Sequence, residues 1–165
     1  MGAQSKLEPM VVVLDTLGSP IALASPTKGA PVAQKSMEAQ VANWIWNARV
    51  VVPDAVLQKV LIGRVYAMAS SDVAKYLNAE YSEHPPFEDG AVDVVITSVL
   101  PTTKDAFQIN WIETARKASA PSAVTQWKAL LSVGIDPKLA ASPQTNLVNP
   151  LGIYIKSATW TKVIA

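Results

Sequence analysis

The chain has no cysteine and a single histidine, His84. Without thiols there are no disulfides, no thiolate nucleophile and no Cys-based zinc site. With one imidazole, a metal site would need several ligands from elsewhere in the chain. Charge is also scarce: Asp, Glu, Lys and Arg make up 16% of residues, and 14 basic against 13 acidic residues leave a net charge of +1. Soluble domains usually devote about a quarter of their residues to charge. The basic residues are scattered rather than gathered in a stripe, so tight non-specific binding to nucleic acid is not expected. Only a weak, transient contact with DNA is compatible with this balance. No window approaches the roughly 20 apolar residues of a membrane helix, and no signal peptide is evident. No Gly-x-Ser-x-Gly elbow and no phosphate-binding glycine loop occurs.

What the chain does have is apolar residues, 50% of a total of 165. That is enough for one domain with a sizeable core. A surface so poor in charge must be neutral or covered by partners. Residues 1–9 read as a flexible lead-in and residues 10–165 as one domain. Met10–Leu14 and Ile21–Ala24, separated by the turn-forming Asp15–Pro20, predict a β-hairpin. Ser25–Pro31 is loop by composition. Met37, Val41, Trp44, Ile45 and Ala48 fall on one face of a helix from about Ser36 to Arg49. Asp54 is placed to cap a second helix reaching about Ala69, with Leu57, Leu61, Val65 and Met68 as its stripe. Gly63 weakens that helix, which suggests close packing against a neighbour. Ser71 is the expected cap of a third helix carrying Val73, Leu77 and Tyr81, stopped by Pro85-Pro86.

From Ala91 the period changes to two. Val92, Val94 and Ile96 form one set, followed by Phe107, Ile109 and Trp111, then Trp127, Ala129, Leu131 and Val133. Helices followed by consecutive antiparallel strands is the order of an α+β domain. Trp44, Phe107, Trp111 and Trp127 are the expected bulk of its core.

Few residues present themselves as chemistry. His84 sits in the turn His84-Pro85-Pro86-Phe87 and reads as an exposed loop histidine. Asp93 and Glu113 lie in predicted strands, where a carboxylate on a curved sheet can act as a general base. Alternation assigns Asp93 the outward face, and the solvent-facing reading is favoured for both. Trp46 does not share the core stripe of Trp44; it is a candidate subunit contact, and a second packed layer would bury it equally well. No catalytic, cofactor-binding or metal-ligating residue is assigned.

The most distinctive local feature is Asn149-Pro150-Leu151-Gly152, which opens directly into Ile153–Trp160. Pro150 fixes its own φ and biases Asn149 toward an extended shape. Gly152 permits a backbone angle or close approach that a side chain would block. Such a corner aims a strand.

This turn resembles the Asn-Pro-x-Gly motif of the VirB-type bitopic assembly proteins of type IV secretion systems. The wider likeness is to the conjugation family TrbF. It runs in order through Val12–Asp15, Gln40-Val41, Asn47–Val50, Asp54, Tyr66, Leu77–Ala79, Pro86-Phe87, Val92–Val99, Phe107–Thr114, Trp127–Val133 and Asn149–Tyr154. One departure is Pro85, where the family often has an acidic residue before Pro-Phe.

The resemblance implies a nuclear-transport-factor-like (cystatin-like) fold, in which a curved antiparallel sheet packs on two or three N-terminal helices behind an N-terminal hairpin. It implies a periplasmic domain tethered to the bacterial inner membrane by an N-terminal helix that this chain does not contain. It also implies a structural, non-enzymatic role in conjugative DNA or effector transfer, through homo-oligomers and contacts with other secretion subunits. The rival reading is a small-molecule isomerase or dehydratase on the same cone-shaped fold, with Asp93 and Tyr66 converging on a pocket floor. A floor plugged by Trp and Phe favours the scaffold; an open cavity with a buried carboxylate favours the enzyme.

Overall fold

The computed structural model describes residues 11–14, 20–24, 32–88, 90–118, 120–140, 149 and 151–163. The expected lead-in at 1–9, the hairpin turn at 15–19, the loop at 25–31 and Pro150 lie outside them. Strands β1 (Val11–Leu14) and β2 (Pro20–Ala24) pair antiparallel, with Val11 opposite Ala24. Three helices follow: α1 (Val32–Arg49), α2 (Ala55–Ala67) and α3 (Ser71–Glu83). A four-stranded antiparallel meander completes the domain, with β3 (Ala91–Thr103), β4 (Ala106–Arg116), β5 (Ala123–Ile135) and β6 (Ile153–Val163) in the order β3-β4-β5-β6. This is the expected α+β order, with the hairpin in place.

The helix boundaries follow from local chemistry. Asp54 caps α2 as expected, its Oδ1 accepting from the Val56 and Leu57 N–H groups at 2.9 and 3.2 Å. The cap of α3 is Ser70 rather than Ser71. Ser70 has the extended backbone of a cap and accepts the Val73 N–H at 3.1 Å, while Ser71 is already helical. Helix α1 begins at Val32, a turn earlier than its apolar stripe suggests, and α2 ends at Ala67.

Alternation sorts the sheet cleanly. Val92 and Val94, Phe107, Ile109 and Trp111, and Ala129, Leu131 and Val133 are all buried. They share one face because Ile109 pairs with Ala129 and Trp111 with Trp127. Register shifts at Ile96/Ser98 and Ser132/Val133 insert extra residues into β3 and β6. Such bulges bend strands. The concave face receives α1 through Val41, Trp44, Ile45 and Ala48, α2 through Leu61 and Val65, and α3 through Val73 and Leu77. Trp127 is only half-buried, and Trp160 joins the core in its place.

Two expectations for α2 change. Leu57 is 43% exposed, because Gln58 occupies the inward position instead. Its amide donates to the Val50 carbonyl at 3.0 Å and its oxygen accepts from the Val52 N–H at 2.7 Å, pinning the α1–α2 connection. Gly63 is not a close-packing site either: a Cβ there would meet nothing within 4 Å.

Candidate functional site

The densest polar constellation lies where the end of α1 meets the concave face of the sheet. Arg49, in the last turn of α1, reaches Glu113 on β4 with two bonds, Nε to Oε2 at 2.6 Å and Nη2 to Oε1 at 3.0 Å. This is the planar, two-pronged pairing that a guanidinium makes with a carboxylate. Both side chains are largely withdrawn from water, with 17% and 8% exposure. The Trp111 indole N–H also donates to Glu113 Oε2, at 2.8 Å. The guanidinium carbon lies 4.3 Å from the centroid of Trp127 and 5.5 Å from that of Trp160. Trp111 and Trp127 are nearly parallel, 10° apart, and Trp160 packs against Trp44 and Tyr76. A cation between indole faces gains from their quadrupoles, the more so when desolvated.

Glu113 therefore does not face solvent as expected. Its position two residues beyond Trp111 places it in the inward set, and Arg49 compensates its charge there. Asp93 is on the outward face as alternation requires, 2.8 Å from Arg116 Nη2 and more than half exposed. The structure does not bring Asp93 and Tyr66 together: the Tyr66 hydroxyl donates to Asn78 Oδ1 at 2.6 Å. His84 caps the end of α3, exposed, 3.7 Å from Glu88. Trp46 is half-buried against the core. Among the described residues no group of three His, Asp or Glu side chains is placed to hold a metal.

Beside Arg49 and Glu113 lies a cavity of about 80 Å³, lined also by Glu80, Tyr81, His84 and the Pro85–Glu88 turn. Ligand pockets are several-fold larger, about 300–1,000 Å³. The rest of the concavity is plugged by Trp44, Phe107, Trp111 and Ile109. Burial pushes the Tyr81 phenol well above its ordinary value, Arg49 offsetting this only in part. Tyr81 stays protonated and donates to the Ala48 carbonyl at 2.8 Å. Burial also raises Tyr76 and Tyr66. The buried carboxylate is thus already held by three donors and faces a small space of mixed polar and apolar lining.

The corner before β6 is equally constrained. The Asn149 side chain is buried and brackets Ile153, accepting its N–H at 2.9 Å and donating to its carbonyl at 2.7 Å. Gly152 has φ +68°, and any Cβ there would collide with the Asp136 carbonyl. The Asp136 N–H donates to the Gly152 carbonyl at 2.7 Å. Leu151 packs half-buried against the core.

With this geometry in hand, the relatives are informative. The family model described as "VirB8 protein" matches residues 1–163. The conjugal transfer protein TrbF of Rhizobium radiobacter is 27% identical over 167 residues, spanning 96% of this chain and 74% of that protein. Among solved structures, Agrobacterium tumefaciens VirB8 superposes with a TM-score of 0.64 at 16% identity, over 86% of this chain and 99% of that one. The TrwG component of a type IV secretion system from Bartonella birtlesii gives a TM-score of 0.64 at 13% identity, over 84% and 96%. At such identities the structural likeness establishes the fold, the nuclear-transport-factor-like cup of helices on a curved sheet.

Proposed function

Because this chain is a member of the VirB8 family, we propose that it is the periplasmic assembly domain of a TrbF-type inner-membrane component in a conjugative type IV secretion system. It works by presenting surfaces to copies of itself and to other channel subunits. The observation that carries this reading is the family match along almost the entire chain, joined to a cup whose interior is filled with aromatic side chains and a neutralised ion pair. Site chemistry lives in residues rather than in folds. Among the described residues the one buried carboxylate, Glu113, is already held by three donors, which gives no support to an isomerase or dehydratase. No helix among the described residues is long and apolar enough to cross a membrane. In this reading an N-terminal helix tethers the protein to the inner membrane.

Asn149–Gly152 serves in this reading as the structural corner that fixes where β6 begins, and Trp46 as a contact for a neighbouring subunit. Any encounter with transferred DNA is transient, given a net charge of +1. The test is genetic. Donor cells lacking the gene for this protein should lose conjugative transfer and recover it with the intact gene. Transfer at the wild-type frequency without the gene would refute the assignment.

A further inference from the structure

Helix α2 is apolar on more than its buried side. Gln58, Leu61 and Val65 point into the domain, yet Val56 is 76% exposed and Val60 46%. At helical spacing Val56, Val60, Gly63 and Ala67 form one outward stripe, and the open space over Gly63 lets another chain approach closely. An apolar stripe left uncovered on a helix is a candidate contact surface. The charged side chains of α2 are both basic: Lys59 and Arg64 are exposed, and neither forms an ion pair among the described residues.

A surface of opposite character lies at the end of α3. From 80 to 88 the chain carries Glu80, Glu83 and Glu88 and no Lys or Arg. At its tip Phe87 is 45% exposed and holds φ +74°, a conformation rare for an aromatic residue. The turn is pinned from both sides. The Glu88 N–H donates to the Pro85 carbonyl and the Gly90 N–H to the Phe87 carbonyl, each at 3.2 Å. A Cβ at Gly90 would strike the Arg116 carbonyl. The ring is thereby left half exposed at the rim of the cavity. Glu83 is exposed and forms no ion pair among the described residues, and Glu88 reaches only His84.

We infer that these two surfaces are made for each other across copies: the Phe87 turn of one chain docks on the outward face of α2 of a second. The ring covers Val56, Val60 and Gly63, and Glu83 and Glu88 face Lys59 and Arg64. Charge selects this pairing. Two α2 faces brought together would oppose Lys59 and Arg64 of each copy, and two turns Glu83 and Glu88 of each, whereas turn against α2 sets cations against carboxylates, Arg116 beside the turn being already held by Asp93. The inference rests on the proposed self-association and supplies its surfaces.

The experiment is sedimentation equilibrium of this chain from micromolar to hundreds of micromolar, at low and high salt. Two charge-reversed variants, K59E/R64E and E83K/E88K, change only exposed residues. Each should associate at least about tenfold more weakly than wild type, and an equimolar mixture should regain the wild-type affinity because the reversed charges again match. Phe87→Gly should weaken association by a similar factor without lowering the thermal midpoint, since glycine accepts the left-handed backbone. Wild-type association that both reversals leave unchanged, or a mixture no tighter than its parts, overturns the pairing while self-association stands. A wild-type chain that stays monomeric throughout overturns both.

Discussion

The ion pair between Arg49 and Glu113 invites a double-mutant cycle, because its geometry makes a sharp prediction. The two side chains are 17% and 8% exposed and meet at 2.6 Å, so solvent screens them little. Glu113→Gln keeps the shape but leaves a guanidinium enclosed by two indoles without its counter-charge. Arg49→Met keeps the aliphatic stem against Trp127 but leaves the carboxylate with only the Trp111 N–H of its present partners. Breaking a buried pair from one side costs about 3–5 kcal/mol. The residual exposure of Arg49 lowers the expected figure to about 2–4 kcal/mol for each single variant. In a domain of this size each kcal/mol moves the thermal midpoint by about 2–4 °C, so a drop on the order of 10 °C is expected. The double variant Arg49→Met/Glu113→Gln removes both charges and keeps a similar volume. It should be more stable than either single variant, giving a coupling of about 2–3 kcal/mol. Urea unfolding at constant pH, checked for an unchanged m value, measures all four corners. Single variants each costing under about 1 kcal/mol, or a double variant equal to the sum of the singles, would show that the pair contributes packing alone.

Three further substitutions probe the surroundings. Asn149→Ala removes both bonds to Ile153 and should cost about 2 kcal/mol in a denaturant melt. Gly152→Val places a β-branched residue at φ +68° and against the Asp136 carbonyl; a loss of about 2–4 kcal/mol is expected, with Gly152→Ala also destabilised. Tyr81→Phe forfeits the bond to the Ala48 carbonyl, costing about 1 kcal/mol at neutral pH. It also changes the alkaline limb. Folded Tyr81 binds its proton more tightly than the unfolded chain does, so its contribution is intact below the ordinary value of 10.0 and is lost as pH rises above it. Stability of the phenylalanine variant should therefore fall less steeply than that of wild type above about pH 10.

Much of the fold was legible because two periods, 3.6 and 2, sort apolar residues onto faces without reference to partners. Val41, Trp44 and Ile45, or Phe107, Ile109 and Trp111, needed only counting. The errors fall where a polar residue takes an inward position for a reason set by distant chain. Gln58 displaces Leu57 from the core because it satisfies backbone groups at Val50 and Val52, which no local pattern announces. Glu113 is more instructive. Phe107, Ile109, Trp111 and Glu113 share one parity, so the burial of the carboxylate was present in the sequence. Its partner was not: Arg49 lies 64 residues earlier and reads locally as a cation suited to a helix C-terminus. Ser70 and Ser71 are chemically equivalent caps, and only the backbone angle separates them. Phe87 carries no sequence sign of a left-handed backbone; two prolines before it and Gly90 after it produce one together.

The low charge of the chain acquires a physical meaning from this arrangement. A cone whose interior bound a metabolite would keep polar groups inside and clothe its exterior in charge. Here the inside holds a neutralised pair among four tryptophans, and apolar residues stand outside. Val95, Leu100, Val124 and Leu130 on the sheet strands are each more than half exposed, as is Val56 on α2. Each such side chain forgoes a good part of the roughly 1.5–3 kcal/mol that full burial would give. Single instances are ordinary on any surface. A series on β3 and β5, with Lys59 and Arg64 on α2 and Glu83 at the end of α3 forming no ion pair among the described residues, leaves unused binding free energy on the outside of the domain. The cage around Arg49 ties α1 to β4 through its two bonds to Glu113. In the proposed assembly, loosening that cage should therefore weaken contact between subunits even where the surface residues are untouched.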